Sequence, residues 1–482
     1  TMSDQTRHPH PIMIFENLSR FLFLLIIPLL RGFLYAIFGG SLYEWLEGAW
    51  FDLLIVFIMV AASILEWAFF RYTVYRRGIL VRRGVLVRNS FFIPSRCYTT
   101  LSFEHSWWLR PFKAVHVRVD TAAGSFNIPD LKITLSNAEC SRILHFHGQK
   151  SNNSQYLNRF YKPKVFYLML LSLFTSNSFV GVIFCSTLFS NAGSLVGEEL
   201  QQQIFTTMEQ LAKLLAVLIP PIATFLAMVV IVGYLISFSM NFLRHINFEV
   251  LRLQYSLYIS GGFFTRCTNA VDISKINYTD IRQTPMMKLL GLYSVYAHCI
   301  GLGKNKNDIS AIIPCAGKNE LEDAMSTLLP EFPSKAVTLR PNFGAIFKFI
   351  MDPLWPCLLV PIGTIVLCNL LPDWAETIGF IGFMLAIPSY WLMLVRLMDF
   401  RTSGIAYDGK NVYMKYSRFF VLHTVCIPKQ HINAVLLRQS MLQHFDDACD
   451  VKIYTISEAQ KVHHVKNLNR QQVLDLLEFV KI

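Results

Sequence analysis

The sequence predicts an α-helical membrane protein in which three helical hairpins alternate with three small α+β domains, each built of antiparallel strands and a C-terminal helix. Of the 482 residues, 53% are apolar and only 16% are charged, whereas soluble domains carry roughly 25% charged residues. Six long apolar stretches occur in three pairs, and the segments that follow the pairs repeat one another. These observations exclude a chain that is water-soluble throughout.

The apolar stretches have the length of membrane-spanning helices. A helix needs roughly 20 apolar residues to cross about 30 Å of hydrocarbon, and each stretch comes close to that length. We therefore expect six transmembrane helices in three hairpins, at about residues 21–38 and 49–70, 165–189 and 211–238, and 347–371 and 378–397.

The charges that flank these stretches predict their orientation. The short loops inside the pairs contain acidic residues but no lysine or arginine, whereas the opposite ends of the stretches are basic. Because basic flanks stay on the cytoplasmic side, the pattern places both termini and all long hydrophilic segments in the cytoplasm. The ten cysteines include no CxxC pair, which is typical of reduced cytoplasmic thiols.

The segments that follow the hairpins are copies of one unit. Aligning Ile93 with Val271 and Ile427 brings the surrounding residues into register without a gap. In each copy a tight turn is followed by two apolar residues, and a proline follows the aligned isoleucine in the first and third copies. A one-residue slip would destroy all these matches together, so they indicate an internal repeat.

The residue pattern of each repeat predicts strands first and a helix last. Apolar and alternating strands surround the tight turn, and the closing helices begin near Asn137, Asn319 and Asn469, which suit the N-cap position. We therefore divide the chain into residues 1–70 (N-terminal segment and the first two spans), 71–164 (first domain), 165–238 (third and fourth spans), 239–340 (second domain), 341–397 (fifth and sixth spans) and 398–482 (third domain).

These units resemble a known family. The hairpin, the isoleucine–proline step and the Arg-Gln-Thr sequence at 282–284, which recurs as Arg-Gln-Ser at 438–440, resemble the bacterial pleckstrin-homology-like (PH-like) domain of the second type. Three such domains alternating with helical hairpins are similar to the YdbT-type membrane proteins. The resemblance implies a PH-like β-sandwich or barrel capped by one helix, in the bacterial cytoplasmic (inner) membrane. It also implies a candidate partner, a smaller one-domain PH-like membrane protein, but no catalytic or ligand residues.

The basic excess is concentrated in the first domain. Residues 71–164 contain 16 Lys or Arg and four Asp or Glu, while the whole chain has a net charge of +12. The densest cluster follows the second predicted span directly and consists of Arg71, Arg76, Arg77, Arg82, Arg83 and Arg88, of which all but Arg71 are candidate lipid-headgroup ligands. These arginines either bind anionic lipid headgroups, at about 1 kcal/mol per basic residue near the surface, or only hold the hairpin on the cytoplasmic side. The sequence leaves both interpretations open.

Three ionisable residues fall inside the first predicted pair of spans: Arg31, Asp52 and Glu66. Charged residues at such depth normally face a partner or a cavity. One interpretation is a polar path through the helical bundle. The other, which we favour, is an Arg31–Asp52 pair across the hairpin, with Glu66 reaching the membrane surface.

The sequence contains no motif that predicts an enzyme, a cofactor or a metal site: HExxH, Walker A, GxSxG, CxxC and GxGxxG are all missing. No recognition module accompanies the basic residues, so nucleic acid is not an expected partner. The sequence favours a non-enzymatic membrane scaffold or adaptor whose domains bind anionic lipid and protein partners. The alternative is a component of a lipid or amphipathic-molecule transport or export system, with a chamber formed by the three repeats.

Overall fold

The computed structural model describes residues 6–18, 42–75, 77–121, 130–148, 159–176, 206, 210, 221–302, 311–456 and 461–477. The chain divides into two compact units. The first comprises Thr1–Leu157, Leu253–Tyr258 and Phe264–Ile273, and the second comprises Asn158–Arg252, Ile259–Phe263 and Ser274–Ile482.

The first repeat begins with helix α1 (Leu42–Phe69). The strands that follow are β1 (Arg71–Tyr75), β2 (Gly78–Arg83), β3 (Asn89–Pro94), β4 (Tyr98–Ser106), β5 (Ala114–Thr121) and β6 (Leu131–Ser136), and helix α2 (Asn137–Gly148) closes the repeat. Strands β1, β2 and β3 form one antiparallel sheet, and β4, β5 and β6 lie side by side in another. The order of strands followed by a helix is the one that the sequence predicts.

The second repeat also closes with a helix, but a strand precedes its first helix and a short helix interrupts its strands. Its elements are β7 (Arg159–Tyr161), α3 (Val165–Thr175), α4 (Pro221–His245), β8 (Glu249–Arg252), β9 (Ser256–Gly261), β10 (Thr265–Asp272), β11 (Tyr278–Gln283), α5 (Pro285–Leu289), β12 (Leu292–His298), β13 (Ala311–Gly317) and α6 (Lys318–Leu328). The Arg-Gln-Thr step of the sequence ends β11 and caps α5, because the Thr284 hydroxyl accepts a hydrogen bond from the Met287 amide at 3.3 Å.

The third repeat follows the second. Its elements are α7 (Ile346–Leu370), α8 (Ala375–Thr402), β14 (Gly404–Tyr407), β15 (Asn411–Arg418), β16 (Val421–Pro428), β17 (Ile432–Arg438), α9 (Met441–Phe445), β18 (Ala448–Thr455), β19 (Val462–Asn469) and α10 (Arg470–Leu477). Here the Arg-Gln-Ser step ends in a capping box on α9, in which Ser440 and Gln443 satisfy each other's backbone amides. The recurring motif is therefore a helix start.

The predicted membrane spans are supported in part. Among the described residues, two helical segments are long and apolar enough to cross a membrane, Phe343–Leu370 and Pro372–Thr402, and they coincide with the third predicted pair. Shorter apolar helices cover Leu53–Phe69, Val165–Thr175 and Val229–His245. The first predicted stretch, residues 21–38, lies outside the described residues, as do residues 177–205 and 211–220. The described part of the chain thus contains two full-length candidate spans, where the sequence predicts six.

Two ion pairs fasten the third domain to α7. The Lys348 ammonium lies 2.7 Å from an Asp446 carboxylate oxygen, and the Lys466 ammonium lies 2.6 Å from Asp352. Lys348 and Asp352 occupy the first two turns of α7, and their partners lie in the third domain. The charges at this helix end therefore have protein partners.

Successive repeats are joined by their strands. In the first unit β4 pairs with β10, and Leu101 lies opposite Ala270. In the second unit β11 pairs with β16, and Thr279 lies opposite Cys426. The repeat alignment makes β11 the counterpart of β4, and β16 the counterpart of β10. The two pairings therefore share the same register, and each strand pair is a seam between one repeat and the next.

Candidate functional site

The first hairpin ends in an apolar tip. The chain turns at Gly84, whose φ of +114° is a conformation that favours glycine. The next three residues are exposed, with Val85 39%, Leu86 97% and Val87 72% accessible. Three adjacent apolar side chains open to solvent are costly in water, so this tip is suited to an apolar or membrane-surface environment.

The predicted arginines surround this tip. Arg82 and Arg83 end β2 and Arg88 precedes β3, and all three are exposed, as is Arg77 at the turn before β2. Arg76 lies outside the described residues. The structure therefore brings Arg82, Arg83 and Arg88 together around one apolar tip.

Two of these arginines lie against aromatic rings. The Arg83 guanidinium lies 5.6 Å from the centre of the Phe91 ring, and the Arg88 guanidinium lies 5.8 Å from the centre of the Phe69 ring. Phe69 is the last residue of α1. The apolar tip and its arginines therefore lie at the end of the apolar helix that precedes the first domain.

The corresponding tips of the other repeats are also apolar and exposed. In the second repeat Phe263 and Phe264 are 50% and 55% accessible, and in the third repeat Phe419 and Phe420 are 69% and 39% accessible. In the second repeat the Phe263 amide donates to the Leu243 carbonyl of α4. The repeated feature is an apolar turn beside the end of a helix, and only the first copy surrounds it with three arginines.

The ionisable residues predicted inside the first pair of spans are only partly described. Arg31 lies outside the described residues, and so does the side chain of Asp52. Glu66 lies on the last turns of α1, where its carboxylate accepts a hydrogen bond from the Asn17 side-chain amide at 3.2 Å. Glu66 therefore has a local partner in the N-terminal segment.

The sequence did not predict a buried ionic cluster in the seam between β11 and β16. Asp280 is 1% accessible, yet its carboxylate contacts the Arg282 Nε at 2.6 Å and the His423 Nδ1 at 2.9 Å. Arg282 also hydrogen-bonds His298 at 2.9 Å between Nη2 and Nε2. Burial opposes ionisation of Asp280, but His423 and Arg282 outweigh it and hold the pKa of Asp280 well below its usual range.

Aromatic rings enclose this cluster. Tyr278 stacks on His298 and meets His463 edge-on, with ring centres 4.5 Å apart in both pairs. Tyr416 stacks on His423 with ring centres 5.3 Å apart. Burial lowers the pKa of His298 to about 3 and that of His463 to about 4, so both imidazoles are neutral at pH 7. The cluster is therefore a junction whose carboxylate and imidazoles are buried, while the Arg282 side chain stays partly accessible.

One signal in the sequence pointed to this junction. The position of Asp280 is occupied by Ser102 in the first copy and Leu436 in the third copy. A charged residue that interrupts a strand in one copy requires a specific partner if that strand is buried. The partner, His423, comes from the next repeat, so a pattern within one copy could not identify it.

A cleft of about 380 Å³ lies between the third domain and the last two apolar helices. Its lining includes Phe349, Arg396, Asp399, Arg418, Lys452 and Lys466. Asp399 is 3% accessible and accepts a hydrogen bond from the Ser417 hydroxyl at 2.7 Å. In the part of the chain that the structure describes, neither Arg418 nor Lys452 has a carboxylate within 4.0 Å. The cleft therefore presents uncompensated positive charge together with the apolar side chains of Phe349, Phe419 and Val462.

Comparisons with known proteins agree with this architecture. The UPF0699 transmembrane protein YdbT of Bacillus subtilis (strain 168) is 20% identical to this chain over 496 residues, which cover 98% of this chain and 96% of that protein. No solved structure matches. Residues 22–140, 209–329 and 357–481 match the family described as "Bacterial PH domain", and each match ends in or just after the helix that closes a repeat. Because these matches cover more than half of the chain, the protein belongs to the bacterial PH domain family.

Proposed function

We propose that this protein is a non-enzymatic, multi-pass scaffold of the bacterial inner membrane. Six transmembrane helices hold the three PH-like domains and both termini on the cytoplasmic side. The first domain binds anionic lipid headgroups, and the domains bind protein partners. A smaller one-domain PH-like membrane protein is a candidate partner, and nucleic acid is not.

The observation that carries the lipid proposal is the tip of the first hairpin. Leu86 is 97% accessible and lies between basic residues at the end of an apolar helix. Apolar side chains that enter the headgroup region gain about 25 cal/mol per Å² removed from water, and each nearby arginine gains about 1 kcal/mol from anionic lipid. The two contributions act at one place, so they add.

The competing interpretation is that the arginines only determine topology. A topological role requires positive charge near the end of α1 but does not require an exposed apolar turn between the charges. The proximity of Val85, Leu86 and Val87 to the arginines therefore favours a lipid-binding role.

Native mass spectrometry of the full chain in mild detergent tests this proposal. We compare retention of added phosphatidylglycerol with that of phosphatidylcholine in the unmodified protein, in Arg82→Gln/Arg83→Gln, and in Arg96→Gln/Arg142→Gln. The last variant is a matched control, because it removes two exposed arginines of the same domain away from the tip. We expect phosphatidylglycerol to be lost from the tip variant and retained by the control. Equal retention of phosphatidylglycerol by the tip variant and the control would mean that these arginines have only a topological role.

The cleft of the third domain favours a second candidate function, a component of a lipid or amphipathic-molecule transport or export system. A volume of about 380 Å³ falls within the usual range of small-molecule sites, and a lining that contains both basic and apolar side chains suits an amphipathic molecule. Lipid that remains in the tip variant but is lost from Arg418→Gln/Lys452→Gln would support this alternative. Lys410→Gln/Lys429→Gln, which neutralises two exposed lysines of the same domain, is its control.

A further inference from the structure

The seams between repeats leave two strands without a partner repeat. The first repeat supplies β4 to the seam with the second, and the second supplies β11 to the seam with the third. The third repeat has the corresponding strand, β17, and the first has the strand that corresponds to β10 and β16, namely β3. In the described part of the chain, β17 pairs only with β18 and β3 pairs only with β2.

The side chains of these strands are exposed where the side chains of their paired counterparts are buried. Leu436 in β17 is 45% accessible, whereas its counterparts Ser102 and Asp280 are 2% and 1% accessible. Every residue of β4 from Tyr98 to Phe103 is buried, whereas three of the seven residues of β17 are half-buried and the other four exposed. The same backbone position is thus covered by a neighbouring repeat in two copies and open in the third.

A residue of β3 is likewise more exposed than its counterparts in β10 and β16. Phe92 is 46% accessible, whereas its counterparts Ala270 and Cys426 are 1% and 6% accessible. An open edge strand presents unpaired backbone donors and acceptors to another strand. The edge of β3 carries no lysine, so one of the usual devices that block edge-to-edge pairing is missing from it.

We propose that β17 of one copy of this protein pairs with β3 of a second copy, in the register of the two internal seams. In those seams Asn269 lies opposite Ser102, and Val425 lies opposite Asp280. The same offset places Phe91 opposite Leu436 in the intermolecular seam. The copies join head to tail, and the contact is heterologous because each copy contributes a different edge.

The residues that meet in this register are compatible. Phe91 and Leu436 make an apolar cross-strand pair, Ile93 lies opposite Ala434, and Asn89 lies opposite Arg438, with no like charges facing each other. Apolar cross-strand pairs stabilise antiparallel strands. The position that holds the buried Asp280 in the internal seam holds leucine here, so this seam requires no buried ionic network.

Disulfide trapping between two differently tagged full-length copies tests the register. One copy carries Phe91→Cys and the other carries Leu436→Cys, both in a Cys97→Ser background because Cys97 is an exposed free thiol. We expect a cross-link between the copies. The control pairs Phe91→Cys with Leu474→Cys, because Leu474 lies on α10 and its accessibility of 44% nearly equals the 45% of Leu436. This pair is expected not to cross-link.

Light scattering of the full chain at rising concentration in mild detergent measures the assembly itself. We expect a concentration-dependent increase in mass, and we expect Leu436→Lys to raise the dissociation constant by about tenfold or more, because it places a lysine on the pairing edge. Leu474→Lys should leave assembly unchanged, and equal thermal unfolding of both variants shows that Leu436→Lys still folds. Three results would each overturn the proposal: a single-copy mass at every concentration, a cross-link that forms only within a chain carrying both cysteines, or occupation of β17 by a different co-purifying protein.

Discussion

Replacing Asp280 with alanine tests whether the ionic cluster holds the second and third repeats together. The substitution removes the acceptor of the Arg282 and His423 hydrogen bonds. His423 is 7% accessible, so it cannot recover its partner from water without opening the seam. Removing one member of a buried ion pair costs about 3–5 kcal/mol. The Arg282 side chain is 30% accessible and can turn partly to solvent, which favours the lower end, about 3 kcal/mol.

Hydrogen exchange followed by mass spectrometry measures this effect locally. A loss of about 3 kcal/mol in the free energy of opening accelerates exchange by roughly a hundredfold. We expect this acceleration in β11 and β16, and a smaller one in Asp280→Asn, which keeps one acceptor oxygen. Asp323→Ala is the matched control, because Asp323 is an exposed carboxylate on α6 and its loss should change exchange by no more than a few-fold. The reasoning is refuted if Asp280→Ala exchanges in β11 and β16 at the rate of this control.

Further predictions concern pH, a turn and a buried arginine. Burial lowers the pKa of His298 to about 3 and that of His463 to about 4, so below about pH 6.5 the unfolded chain binds more protons than the folded chain. The free energy of unfolding of the second unit should therefore be at its full value above that pH and fall as the pH decreases toward 4. Urea titration at stepped pH measures this change. Gly84→Ala should cost about 1–3 kcal/mol, because φ is +114° and a Cβ would lie 1.9 Å from a backbone oxygen; unchanged hydrogen exchange across β2 and β3 would contradict this. Arg252→Lys should cost about 1–2 kcal/mol, since it replaces a two-point contact with Glu331 at 2.6 and 2.9 Å by a single one; an unfolding midpoint equal to that of the unmodified protein would show that the second contact contributes nothing.

The sequence by itself determined the local elements and their threefold repetition. Side-chain period, turn residues and helix caps act over a few neighbouring residues, so their patterns can be read along the chain. The closing helices begin at or next to Asn137, Asn319 and Asn469 as predicted, but the N-cap of α6 is Gly317 and not Asn319. Alternation places Val115, Val117 and Val119 in the core. The arginines of the first hairpin were also found from sequence, because their density needs no partner to be recognised.

Only the tertiary structure decided which strands meet and what becomes buried between them. Strands pair through backbone groups that every residue type except proline shares in full, so a strand's sequence does not identify its partner. Asp280 and His423 lie 143 residues apart and belong to different repeats. The pairing of β11 with β16 brings them into contact and excludes water from both. In the internal seams a strand of one repeat pairs with a strand of the next. The corresponding strands β17 and β3 have no such partner repeat, and they are the two edges at which assembly is expected.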